Sequence, residues 1–213
     1  MAYDLEEQEQ FDAFKAWWAK YGTLIMGVVA AAMLTWGGWS AWKAYQSHQA
    51  SQAMGYYEAL EDASRSAGTE DSAARVKAAA NTLRNDYPDS GYAGRGALIA
   101  AEALLDQNDV AGAKEQLTWL AAQTNQPSLR PLAKLRLSGI LLDEKKYDEA
   151  LAQLDAPPTA FVALFADRRG DVLAEQGKNE EARAAWADAV KHLGPADPMT
   201  QVVQLKLDAL SGD

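Results

Sequence analysis

The sequence predicts an all-α protein in which a single N-terminal transmembrane helix is followed by a solenoid of paired helices. Two observations carry this prediction. Residues 21–42 contain no charged side chain, and the later part of the chain repeats one helical pattern at intervals of 37 and 32 residues. We find no convincing run of alternating β-branched residues, so we do not expect a sheet.

Residues 21–42, between Lys20 and Lys43, are predicted to cross a membrane. At about 1.5 Å rise per residue, a helix of this length spans the ~30 Å hydrocarbon core of a bilayer. Aromatic side chains flank both ends, as is typical of the headgroup zones: Trp17, Trp18, Tyr21, Trp36, Trp39 and Trp42. A cleaved signal peptide is one alternative, but it would begin with basic residues, whereas this chain begins with an acidic segment. A buried soluble helix is the other, but it would have to fit three tryptophans on one core face.

The charges beside the span predict its orientation. Lys15 and Lys20 precede it closely and only Lys43 follows closely, so the positive-inside rule favours a cytoplasmic N-terminus. We therefore expect a cytoplasmic tail at residues 1–20, the transmembrane helix at 21–42 and an exported domain at 43–213. In a Gram-negative cell this is a single-pass inner-membrane protein with a periplasmic domain.

The first part of the exported domain is predicted to extend the membrane helix outward. Residues without proline continue to about Ser66 and include Leu60 as a packing residue. Residues 68–69, Gly-Thr, are expected to interrupt this helix, and Asp71-Ser72 to cap the next one. A turn at residues 86–91, which include Pro88 and Gly91, ends that second helix.

Three later segments share one pattern. Each has a small residue, a polar turn, an alanine twelve residues after the small residue, and a large apolar residue four further on. The three sets are Ala101, Ala113 and Leu117; Ser138, Ala150 and Leu154; and Gly170, Ala182 and Trp186. Small side chains let two antiparallel helices approach closely, and the large residue fills the space towards the next pair. The spacing brackets the tetratricopeptide period of about 34 residues, so we predict a tetratricopeptide-like α-solenoid. An ordinary alanine-rich bundle is the alternative.

Two places depart from a regular repeat. Pro157-Pro158 is expected to end the second helix of the middle repeat early. After the last repeat, a final helix at roughly residues 199–210 is expected to cover the open end of the solenoid. Its covering side chains would be Val202, Val203, Leu205, Leu207 and Leu210.

No catalytic residue, cofactor or metal site is predicted. The chain has two histidines, no cysteine and no metalloprotease, Walker or Gly-x-Ser-x-Gly motif. The glycines of residues 91–96 do not have dinucleotide-loop spacing, and a turn followed by a close helix crossing explains them better. Residues 43–213 contain 18 Lys and Arg against 25 Asp and Glu, so nucleic acid is not an expected partner. We therefore predict a protein that is not an enzyme.

Two surfaces are predicted to bind other proteins. In a tetratricopeptide solenoid the first helix of each pair lines a groove, and the register places six leucines there: Leu98, Leu105, Leu132, Leu135, Leu142 and Leu164. These favour an apolar segment of another protein as ligand, the alternative being that the leucines are core. In the membrane helix, Gly27, Ala31 and Thr35 form a small-residue stripe that would let another helix pack closely.

The chain resembles a known family in several segments. Residues 166–173 (ADRRGDVL), Gly177, residues 182–186 (ARAAW) and the stretch that begins at Tyr92-Ala93 carry the resemblance, together with the acidic tail and single anchor. They resemble the YfgM family, the ancillary subunit of the bacterial Sec translocon.

The resemblance implies an inner-membrane protein that associates with the Sec translocon channel. It also implies pairing with a membrane-anchored periplasmic chaperone of the peptidyl-prolyl isomerase type, so that emerging secretory proteins are passed to periplasmic chaperones. A second implied role is negative regulation of an envelope-stress signalling system by sequestering a component. A scaffold for cell-envelope assembly is a third hypothesis.

Overall fold

The computed structural model describes residues 3–66, 71–123 and 125–210, and this part of the chain is helical without any strand. Its helices are α1 (Tyr3–Arg65), α2 (Ser72–Asp86), α3 (Gly91–Asp106), α4 (Val110–Ala122), α5 (Arg130–Asp143), α6 (Tyr147–Gln153), α7 (Val162–Glu175), α8 (Asn179–Leu193) and α9 (Pro198–Ala209). A 3-10 turn, Thr159–Phe161, precedes α7. The all-α prediction is confirmed; the predicted break at residues 68–69 lies outside the described residues.

The chain divides into two compact units, residues 1–51 and 52–213. The first contains the predicted membrane span, which lies inside α1. Among the described helices, α1 is the one long and apolar enough to cross a bilayer, and its large apolar side chains are exposed, Leu34 to 77%. The predicted ends of the membrane span, after residue 20 and at residue 42, stay predictions. α1 is continuous through both positions, so the helix itself has no boundary there.

In the second unit, consecutive helices pack as pairs: α3 with α4, α5 with α6, and α7 with α8. The same turn joins the helices of each pair. Asn108, Lys145 and Gly177 have positive φ angles of 62°, 60° and 75°. The next residue then donates its N–H to a carbonyl five residues earlier: Asp109 to Leu104 at 2.8 Å, Lys146 to Leu141 at 2.8 Å and Lys178 to Leu173 at 2.9 Å. This helix-ending motif therefore recurs at the repeat spacing.

The residues that define the repeat are all buried. The small residues, the alanines and the large apolar residues of the three sets lie inside the unit, with Ala113, Ala150 and Ala182 fully inaccessible. Together with the recurring turn, this burial confirms the tetratricopeptide-like α-solenoid.

The glycines of residues 91–96 make the predicted close helix crossing. A Cβ on Gly96 would lie 2.8 Å from Cδ1 of Leu83 and 3.2 Å from Cδ2 of Leu60. A Cβ on Gly94 would lie 2.9 Å from Cδ1 of Leu129. α3 therefore approaches α1, α2 and the loop before α5 more closely than any residue with a side chain would allow.

The structure corrects two expectations. Asp71 occupies the N-cap position of α2, but its side chain forms no capping hydrogen bond. In α9, Val203, Leu207 and Leu210 join an apolar cluster with α7 and α8, whereas Val202 and Leu205 are exposed, Leu205 to 69%. The expectation that Val202 and Leu205 cover the solenoid end is wrong, because only one side of a helix can face its neighbour.

Candidate protein-binding surface

The first helices of the three pairs, α3, α5 and α7, lie beside one another, and the end of α1 from Gln52 lies beside α3. We call the surface that they share the A face. Nη1 of Arg136 in α5 donates to the Leu98 carbonyl of α3 at 3.2 Å. Nearly one turn further along α5, a Cβ on Gly139 would lie 3.8 Å from Cζ of Arg168 in α7. The rings of Tyr57 and Tyr92 join α1 to α3, with centroids 5.4 Å apart.

The six predicted groove leucines all lie on A-face helices. Leu98 and Leu105 belong to α3, Leu132, Leu135 and Leu142 to α5, and Leu164 to α7. None of the six is fully buried. Leu98, Leu135 and Leu142 pack partly against the main core, whereas Leu105 is 36% exposed. The leucines thus form a partly exposed apolar band over the core, and its binding to another protein stays a prediction.

Ion pairs interrupt this apolar band. Arg136 lies 3.5 Å from Glu102, and Arg168 lies 3.6 Å from Asp171. At the α1 end of the A face, a cavity of about 300 Å³ is lined by three carboxylates, Glu61, Glu102 and Asp106, and one guanidinium, Arg65. A ligand of the A face would therefore meet apolar side chains together with a locally acidic end.

A cluster that the sequence analysis missed fastens α9 to α7. Nζ of Lys206 lies 2.7 Å from Oδ1 of both Asp167 and Asp171, and Asp167 is buried. Nε1 of Trp186 donates to the Asp167 carbonyl at 3.1 Å. Partial burial lowers the pKa of Lys206, but the hydrogen bonds to the two aspartates outweigh it, so its pKa is raised above the usual value. The sequence offered only one local sign of this cluster, the two carboxylates four residues apart on α7. Spacing along the chain could not reveal their pairing with Lys206, because that lysine is more than 30 residues away.

The opposite side of the solenoid carries an open cleft of about 730 Å³ beside α4. Val110, Ala111 and Trp119 contribute its apolar lining. Its charges are already paired: Arg84 lies 2.8 Å from Glu115, and Lys114 pairs with Glu144. The hydrogen bond from Lys114, followed by that from Lys146, lowers the pKa of Glu144. No sequence motif pointed to this cleft.

In the apolar part of α1, the predicted small-residue stripe is exposed. Gly27, Ala31 and Thr35 are exposed, and a Cβ on Gly27 would have no described atom within 4 Å. The Thr35 hydroxyl donates to the Ala31 carbonyl at 2.8 Å, so its polarity is satisfied within the helix. In the part of the chain that the structure describes, no group of three or more His, Asp or Glu could hold a metal ion.

Known proteins resemble the chain over nearly its whole length. Residues 15–212 match the family described as a tetratricopeptide repeat-like domain. A Neisseria gonorrhoeae protein named "Ancillary SecYEG translocon subunit" is 32% identical over 211 residues, which are 99% of this chain and 100% of that protein. The Escherichia coli protein of that name is 30% identical, over 96% of this chain and 97% of its own. The one from Aggregatibacter actinomycetemcomitans is 26% identical, over 99% and 100%. The similarity therefore includes both the apolar helix and the solenoid.

Proposed function

The chain belongs to the family of ancillary SecYEG translocon subunits, and on this premise we propose that it is a non-enzymatic, membrane-anchored adaptor that associates with the Sec translocon. The observation that carries the proposal is the full-length similarity to proteins of that name. The architecture supports it, because an apolar helix can act as an anchor and stacked helical repeats present extended surfaces to other proteins.

In this proposal the anchor lies in the inner membrane, with the N-terminus in the cytoplasm and the solenoid in the periplasm. The excess of lysine before the span supports this orientation. Gly27, Ala31 and Thr35 would contact a helix of the translocon, and their uncovered surface supports that role.

The A face would hold the second partner, a membrane-anchored periplasmic chaperone of the peptidyl-prolyl isomerase type. The support is the partly exposed leucine band, which suits an apolar helix or extended segment. The adaptor would then keep this chaperone beside the channel, where secretory proteins emerge.

The test is a mild-detergent pull-down of the full-length protein from native membranes, with mass spectrometry of the co-eluting proteins. We expect Sec channel subunits together with an isomerase-like chaperone. Recovery of a signalling or envelope-assembly protein without Sec subunits would overturn the proposal in favour of the regulator or scaffold hypotheses.

A pair of glycine variants tests the anchor contact. Gly27→Leu fills the stripe and should reduce recovery of Sec subunits. Gly37→Leu is the matched control, because Gly37 lies about 120° around the helix from Ala31 and also has free space at its Cβ position. Equal recovery with both variants would remove the stripe from the proposed interface.

A further inference from the structure

The middle repeat lacks half of its second helix. α6 has 7 residues, whereas the second helices of the neighbouring repeats, α4 and α8, have 13 and 15. At about 1.5 Å rise per residue, α6 is roughly 10 Å long and α5, with its 14 residues, roughly 21 Å. The N-terminal half of α5 therefore has no partner helix within its own repeat.

A cavity of about 320 Å³ lies in this place. Its walls include Pro127 from the loop before α5, Pro131 at the start of α5, Pro158 from the loop after α6, and Phe165 of α7. Arg130 and Lys134, one turn apart on α5, contribute its positive charges. We call it the middle-repeat pocket.

The repeat register shows that these two cations belong to this pocket and not to the repeat. Arg130 lies eight residues before the small residue of its repeat, where the other repeats have Ala93 and Val162. Lys134 lies four residues before it, where the others have Ala97 and Ala166. Small or apolar residues stand at these positions where a full-length second helix is present. Cations stand there only in the repeat whose second helix is short.

Within the described part of the chain, the positive charges of the pocket are only partly balanced. Neither Arg130 nor Lys134 forms an ion pair within the described part of the chain. Nε of Arg130 donates to the Ala121 carbonyl at 2.9 Å, which leaves the terminal guanidinium nitrogens available. The one carboxylate in the lining, Asp155, lies 3.6 Å from Arg169, which is not part of the lining. The pocket is thus locally positive in a chain with a net charge of −10.

We propose that the middle-repeat pocket binds a carboxylate of an extended peptide together with an adjacent apolar side chain. Arg130 offers paired N–H donors to the carboxylate, Lys134 adds a point charge, and the N-terminus of α5 favours an anion. The prolines and Phe165 form a stiff apolar wall for the neighbouring side chain. The volume is at the lower end of the range of small ligand sites. This inference goes beyond the proposed function, because it does not depend on association with the translocon.

The test uses the full-length protein in a neutral detergent and fluorescence anisotropy of peptides with a neutral dye. The first probe is a Gly/Ser hexapeptide ending in Val-Leu with a free C-terminal carboxylate. The second is its C-terminal amide, and the third is the amide with Glu beside the Val-Leu pair. We expect the amide without Glu to bind about tenfold more weakly than at least one carboxylate peptide. Binding of the first peptide would identify the carboxylate of a chain end as the ligand group. Binding of the third would identify the carboxylate of a side chain. Absence of binding, or equal binding of all three peptides, would overturn the proposal.

Variants assign the binding to the pocket. Arg130→Gln and Lys134→Gln should each weaken binding of the carboxylate peptide about tenfold and reduce its salt dependence. Lys134→Gln removes no hydrogen bond between residues that the structure describes, so it stays informative if Arg130→Gln perturbs folding. Lys191→Gln, an exposed change on α8, is the matched control and should bind as the parent does. Unchanged affinity in Lys134→Gln would show that the peptide binds elsewhere.

Discussion

The indole of Trp186 occupies the place where a side chain at Gly170 would lie. A Cβ on Gly170 would overlap Cδ1 and Nε1 of the ring. The same Nε1 donates to the Asp167 carbonyl, one turn earlier on α7. α7 and α8 can therefore approach closely only because residue 170 has no side chain, and the indole then fills the space that is left.

Gly170→Ala should destabilise the domain. The added methyl group has to displace the indole, and such overpacking costs about 1–3 kcal/mol. Gly139→Ala is the control, since its Cβ would lie at an ordinary 3.8 Å from Arg168 and alanine is favoured in a helix by about 0.5–1 kcal/mol. Urea unfolding of the full-length proteins, followed by circular dichroism, measures both. Equal stability of the two variants would contradict the close contact.

Lys206→Met should loosen α9. It leaves the buried Asp167 without its cation, and we expect a loss of about 2 kcal/mol, less than for a fully buried pair because Lys206 is partly exposed. Hydrogen exchange of α9 amides should accelerate, whereas Lys191→Met should leave it unchanged. Because the pKa of Lys206 is raised in the folded state, its stabilisation is complete below the ordinary lysine value of about 10.4 and is lost as pH rises through the raised value. The Lys206→Met variant should not show this loss of stability at alkaline pH.

Asp109 should make the domain sensitive to acid. The hydrogen bond from Lys77, followed by that from the Gly112 N–H at 3.0 Å, lowers its pKa. The carboxylate therefore stabilises the fold above the ordinary value of about 3.9, and this is lost as pH falls through the lowered pKa. Asp109→Asn keeps an N-cap acceptor but removes the charge, so unfolding between pH 5 and 2 should depend less on pH.

Two further variants separate the cap of Asp109 from its charge. Asp109→Ala should in addition lose about 1 kcal/mol at neutral pH, because the cap itself is removed. Asp106→Asn, an exposed change at the end of α3, should leave the acid profile as it is. An acid profile that is identical in Asp109→Asn and the parent would contradict the assignment.

The leucine band can be divided into binding and core residues by two substitutions. Leu105→Asp changes an exposed side chain and should alter the unfolding free energy by less than about 0.5 kcal/mol while reducing chaperone recovery. Leu142→Asp puts a charge on a side chain that packs against the main core, and should destabilise the domain by about 2 kcal/mol or more. Pull-down and urea unfolding of the same preparations measure both effects. Unchanged recovery with Leu105→Asp would exclude the end of α3 from the binding surface.

Features that depend on neighbours along the chain could be predicted from the sequence. The apolar span, the early end of α6 before Pro157 and the recurring small residues are such features, because a helix places residues three and four apart on one face. The six predicted leucines lie on the first helices of their pairs, since the register of one repeat gives that of the others, and their role in a binding groove stays a prediction.

Features that depend on distant partners could not be predicted in this way. The exposure of Leu205, the ion pairs of Lys206 with Asp167 and Asp171, and the pocket beside Arg130 all depend on how helices far apart in sequence meet. Local sequence features thus determined an N-terminal helix long and apolar enough to cross a bilayer and a repeated helical domain. Only tertiary packing decided which charges find partners and which remain free, because that depends on distances between side chains of different helices.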